Sequence, residues 1–187
     1  MIITWHGENC FKIQSGEQSI LIDPPVKESG LTAPRFKVDA ILKTMQSLPV
    51  EFERSETPII CGPGEYEVND IEITGIQNIK DTDEKELKTM YRVVFDDIKI
   101  AILGFLVKTP ELKDIEELIG SDIIIVPAGG KPLIEQEEAI KLVKLLKGKI
   151  IIPSLFKVAG LKRKTEDAKY FLKEIDQSPS PQDKLVI

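Results

Sequence analysis

The chain changes its pattern near residue 109, and that change limits the folds open to it. Before this point the sequence reads as short strands with tight connections: MIITW, CFKIQ, SILID, VDAILK and PIIC, then the pairs EYEV/IEIT and YRVVF/IKIAIL. The pairs are joined by Asn69-Asp70 and Asp96-Asp97, two-residue polar steps between alternating strands that predict hairpins. Beyond residue 109 helix and strand alternate. Thr109 can cap a helix with Pro110 at its first position, Leu112, Ile115, Leu118 and Ile119 fall on one face, and Gly120 stops it. A second helix carries Ala139, Ile140, Leu142, Val143, Leu145 and Leu146 and is expected to end at Gly148. A third is expected to start at Thr165, with Glu166 and Asp167 against the positive end of its dipole and Ala168, Phe171, Leu172 and Ile175 turned inward. DIIIV, KIIIP and KLVI supply the remaining strands. Many antiparallel strands followed by this alternation require sheets with helices packed outside them.

At 187 residues the chain suits one domain, 1–187, with a substantial core. The acids outnumber the bases, 31 to 25, and the resulting net charge of -6 disfavours broad attraction to nucleic acid or anionic lipid. Lys157, Lys162, Arg163 and Lys164 form a local exception, expected to be a solvated approach to a helix. The stretch QNIKDTDEKELK has little to bury and reads as an exposed, mobile loop. No run is long enough for a membrane span and MIITWHGENC lacks the plan of a signal peptide, so a cytoplasmic location is expected.

Reactive side chains are scarce. There is one histidine, His6, and the two cysteines, Cys10 and Cys61, show no metal-knuckle or disulfide spacing. His6 could act as a general base oriented by Glu8 or Asp23, but a lone histidine at a strand end is more often half-buried and hydrogen-bonded. Cys10 beside Phe11 and Ile13 reads as a small buried hydrophobe. Asp23 before two prolines and Glu65 after Gly-Pro-Gly could each present a carboxylate, and Gly62 and Gly64 are expected to serve backbone geometry.

Six stretches in order, ITWHGENCFKI, ILIDP, GPGEYEV, IAILGFL, IIIVPAGG and IIIPSLF, resemble the small metal-dependent hydrolases of the metallo-beta-lactamase fold, in the compact branch similar to ascorbate-6-phosphate lactonase. The resemblance implies an α/β, four-layer αββα sandwich with a pocket at one edge for zinc or manganese. In that family the strand matching DAILK runs into an H-x-H-x-D-H ligand loop. The corresponding places here hold Met45, Ser47, Pro49 and Val50. Lys80, Phe105 and Leu155 stand where a further histidine, a bridging aspartate and a last histidine are expected, and Glu8 replaces a histidine common beside the first hairpin. The aspartate of IDP, here Asp23, resembles the family's support for the ligand loop.

A hydrolytic zinc site needs about three protein donors and one open position. The substituted residues supply at most weak donors, so no cofactor is expected, and a non-catalytic member acting through binding or assembly is the leading expectation. The alternative is a hydrolase with residual or rebuilt metal-free chemistry around His6, Asp23 and Glu65. The partner, protein or small molecule, is not readable from the sequence. A homodimer through a strand edge or the helical layer is one option. Met45, Val50, Phe105 and Leu155 are expected to pack together where metal and water would have been, which would make Phe105→Asp cost on the order of 3 kcal/mol or more.

Overall fold

The computed structural model describes residues 1–50, 55–175, 182 and 184–187. Two sheets face each other across an isoleucine-rich core. The first has the order β13-β1-β2-β3-β4-β6, with β1 Ile2–Trp5, β2 Phe11–Ser15, β3 Gln18–Ile22, β4 Ala40–Lys43, β6 Ile59–Cys61 and β13 Lys184–Val186. The second runs β12-β11-β10-β9-β8-β7, with β7 Gly64–Val68, β8 Ile71–Gln77, β9 Glu86–Phe95, β10 Ile98–Ile102, β11 Ile123–Pro127 and β12 Ile150–Ser154. Alternating residues of both sheets, among them Ile13, Ile20, Ile22, Leu42, Ile73, Val93, Ile100 and Ile125, meet between them. This is the period-two pattern of strands that bury one face.

Both predicted hairpins form. Asn69, Asp70, Asp96 and Asp97 all take left-handed backbone, with φ of 48°, 62°, 51° and 61°, the primed turn whose twist suits the flanking strands. The parallel pairs β3-β4, β4-β6, β10-β11 and β11-β12 bring the carboxyl ends of several strands to one edge of the sandwich.

Helices cover the outer face of the second sheet. α2, Gln136–Leu146, buries Ala139, Ile140, Leu142, Val143 and Leu146 against Ile124 and Val126, while Leu145 is exposed rather than part of the stripe. It ends at Lys147 in the left-handed region, not at Gly148, whose missing side chain leaves room for Ile124. The other two helices are shorter than the periodicity predicts. α1 is Leu112–Ile115, continued by a 3-10 turn to Leu118, because the Thr109 hydroxyl donates to Glu138 instead of capping. Leu112 and Ile119 are exposed, and Ile115 and Leu118 carry the buried face. α3 is Lys169–Glu174. Thr165 donates to the Gly129 carbonyl at 2.7 Å and Glu166 accepts from Gln136, so Asp167, accepting from the Lys169 N–H at 3.0 Å, is the acid that serves the helix start. On the outer face of the first sheet, Cys10, Leu21 and Val38 form a small cluster, and the segment between β3 and β4 carries only a 3-10 turn at Lys27–Ser29. No helix among the described residues is long and apolar enough to cross a membrane.

Candidate functional site

Strand ends from both sheets converge at one edge of the sandwich, and two side-chain clusters tie them together. The first centres on Asp23, half-buried just beyond the end of β3 with φ 39°. Its carboxyl accepts from the Thr44 N–H at 2.8 Å, the Thr44 hydroxyl at 2.5 Å and the Asn9 amide at 2.6 Å. Thr44 follows β4 directly, so these bonds fix the exit of that strand to the exit of β3. Gly104, with φ 62°, lets the turn after β10 lie against Thr44, since a side chain there would overlap it. Burial pushes the Asp23 carboxyl up to about 6, against the opposing pull of the Thr44 and Asn9 hydrogen bonds, with the nearby Glu8 charge adding to the rise.

The second cluster joins residues far apart in the chain. Arg163 Nε lies 3.1 Å from Glu8 Oε1, and its Nη2 donates to the Leu155 carbonyl, also at 3.1 Å. The Leu155 N–H in turn donates to the Glu8 carbonyl, and the Trp5 indole donates to that carbonyl too. Glu8 and Leu155 both hold left-handed backbone, φ 48° and 58°, as does Asp23. Among the described residues, these three are the non-glycine positions with that conformation outside the turns and the α2 end. It costs a β-carbon roughly 1–2 kcal/mol, and these hydrogen bonds over-determine it.

Arg163 therefore leaves the solvated basic cluster expected of it and turns inward. Of the four residues among which several are expected to pack together, Leu155 is buried, Val50 and Phe105 are half-buried, and Met45 is exposed. Residues 45–47 are not a loop but strand β5, Met45–Ser47, paired antiparallel with the start of β9 as Met45↔Lys88 and Ser47↔Glu86. Ser47 and Pro49 are exposed. The stretch 77–88 is likewise ordered by contacts: Asn78 is fully buried and donates to Asp81, whose carboxylate accepts from the Val107 and Lys108 N–H groups. Lys80 is exposed and reaches the Thr109 carbonyl at 3.3 Å and Glu111 at 3.9 Å.

The candidate residues of the metal-free alternative are not brought together. His6 sits against Phe36 with its ring centroid 5.1 Å away, and burial and Lys12 both lower its pKa. Its Nε2 is buried without a hydrogen-bond partner, which differs from the bonded histidine expected. Glu65 is exposed on β7 at the far edge of the second sheet, opposite Thr74. The Cys10 thiol is fully buried and pushed up to about 12 by burial, in keeping with a small apolar residue. Among the described residues no group of three or more His, Cys, Asp and Glu side chains is placed to hold a metal ion. With Phe105 half-exposed, Phe105→Asp is expected to cost about 1 kcal/mol rather than 3, read as the midpoint shift of a urea melt. A loss of 3 kcal/mol or more would show that the ring is a core residue after all.

Two facing sheets, outer helices and a strand-end site with left-handed turns define the metallo-beta-lactamase type of α/β sandwich. Residues 2–154 match the Beta-lactamase superfamily domain, and the chain belongs to that family. It is 26% identical to a UPF0173 protein of Pyrococcus abyssi over 86% of this chain and 85% of that protein. Among solved structures, a candidate Zn-dependent hydrolase of the metallo-beta-lactamase superfamily from Thermotoga maritima superposes with a TM-score of 0.83, at 27% identity over 100% of this chain and 91% of that one. The metallo hydrolase Igni18 of Ignicoccus hospitalis shares the fold with a TM-score of 0.67 and 16% identity, covering 94% and 90% of the two chains.

Proposed function

We propose that this chain is a non-catalytic member of the superfamily, acting through binding rather than hydrolysis. The observation that carries this reading is the Arg163 bridge. Glu8 and Leu155 stand at two places where the resemblance implies histidines, and Arg163 joins the carboxylate of one to the carbonyl of the other. The Glu8 carboxylate and the Leu155 carbonyl are thereby committed to the guanidinium rather than free to ligate a cation. The remaining substituted positions do not fit zinc or manganese: Pro49, Val50, Phe105 and Leu155 carry no side-chain donor, and Lys80 carries a positive charge. Strand β5 supports the same reading, because its backbone is committed to β9. On this reading the left-handed turns at Glu8, Asp23 and Leu155 are inherited architecture, held by new bonds. The competing reading, metal-assisted hydrolysis, rests on kinship with proteins named as metal-dependent hydrolases.

The net charge of -6 supports a binding role that does not involve nucleic acid or anionic membrane lipid. Elemental analysis of protein purified without chelator, followed by calorimetric titration with zinc and with manganese, tests the proposal. Less than a tenth of an equivalent of metal and no saturable heat are expected. One equivalent of zinc, manganese or iron per chain would overturn it.

A further inference from the structure

The central core is open along one flank of the sandwich, between the edge strands β13 and β12 that end the two sheets. The opening is a cavity of about 620 Å³, within the range of small-molecule sites. Its floor is apolar: Ile3 from β1, Ile150 and Ile152 from β12, Leu172 from α3, and the stacked pair Trp5 and Phe156, whose rings lie 5.0 Å apart at 29°. Among the described residues its charged lining is Lys157, Lys169 and Lys184, all exposed, together with Asp167, which lies 3.5 Å from Lys169. In a chain of net charge -6, these lysines at the mouth of an apolar hollow favour an anion over a cation. None of the seven substituted ligand positions lines the cavity.

We infer that this flank binds an amphipathic monocarboxylate of the medium-chain fatty acid type, its hydrocarbon body against Trp5, Phe156, Ile152 and Leu172 and its carboxylate among the three lysines. Burying the chain supplies the affinity, and the lysines supply the preference for an anion. The inference gives the binding role proposed above a ligand, but it rests on other residues. The metal measurements and the measurements below therefore fail or succeed separately.

Trp5 is the sole tryptophan of the chain, so its emission reports on the cavity directly. Dodecanoate, titrated below its micellar concentration, is expected to shift Trp5 emission to shorter wavelength and to saturate at one molecule per chain. Dodecyltrimethylammonium and dodecanol are expected to bind at least tenfold more weakly. The double variant Lys157→Glu/Lys184→Glu alters exposed side chains and should keep its melting temperature while losing about tenfold in dodecanoate affinity. Leu172→Trp, which fills the floor, should abolish the response of the cavity in calorimetry. Equal affinity for the three probes, an unchanged affinity in the lysine variant, or no saturable response to dodecanoate would overturn the proposal. So would a shift of Trp5 emission with protein concentration alone, accompanied by dimer in sedimentation, since the flank would then be covered by a second copy of the chain.

Discussion

Arg163→Ala is expected to destabilise the protein by about 3 kcal/mol, the largest single loss at the candidate site. Both partners of the Arg163–Glu8 pair are mostly buried, with side-chain exposures of 20% and 11%. Removing one member of such a pair leaves the other charge without compensation, at roughly 3–5 kcal/mol. The Leu155 carbonyl loses its donor in the same step. The loss is a property of the broken pair and does not measure what the intact pair contributes. Glu8→Gln/Arg163→Met, which removes both charges at similar volume, is therefore expected to recover more than half of it. Urea melts of the single and double variants measure both quantities. If Arg163→Ala shifts the midpoint by less than the equivalent of about 0.5 kcal/mol, the guanidinium is in solvent and the proposal built on its bridge fails.

The parts of the fold that the sequence shows are those decided by neighbours in the chain. Asn69-Asp70 and Asp96-Asp97 specify their hairpins because short polar residues accept left-handed backbone. The isoleucine alternation marks the strands. Helix starts were less legible because Thr109 and Thr165, plausible caps by sequence, hydrogen-bond to Glu138 and to Gly129, partners 29 and 36 positions away. Strand β5 has no strand signal of its own, since Met45, Gln46 and Ser47 become a strand only by pairing with Lys88, Leu87 and Glu86. The site follows the same rule. The substituted ligand positions could be read by resemblance, but Arg163 meets Glu8 across 155 positions and lay hidden among three lysines. The one available signal was its chemistry: an arginine, with a planar five-donor fork, suits a buried carboxylate and carbonyl better than a lysine does. Asn9 and Thr44 were missed because each stands beside a residue that attracts attention first, Glu8 and Met45.

Asp23 is expected to make the protein lose stability as pH rises through the range from about 4 to 6. Its carboxyl is pushed up to about 6 in the folded state from an ordinary value of 3.8, with burial as the main cause. A raised value means that the folded state holds the proton more tightly than the unfolded chain does. The resulting stabilisation is fully present below about 3.8 and is lost as pH rises through 6, amounting to roughly 3 kcal/mol at 1.36 kcal/mol per pH unit. Asn9 gives this proton a destination: its Oδ1 is buried without a partner, and a turned amide lets Oδ1 accept from the protonated Asp23. Other carboxylates work in the opposite sense. Asp122, held low by Lys149, stabilises above its unfolded value and loses that contribution as pH falls. The raw pH profile therefore mixes both signs, and the difference between wild type and Asp23→Asn isolates the buried group. That difference is expected to move by about 2 kcal/mol in favour of wild type between pH 6.5 and pH 4, measured by urea melts at each pH. A difference that stays flat would mean that the three donors from Thr44 and Asn9 hold Asp23 ionised throughout. The inherited aspartate would then be a fixed anion tying β3 to β4 rather than a group whose burial is relieved by a proton.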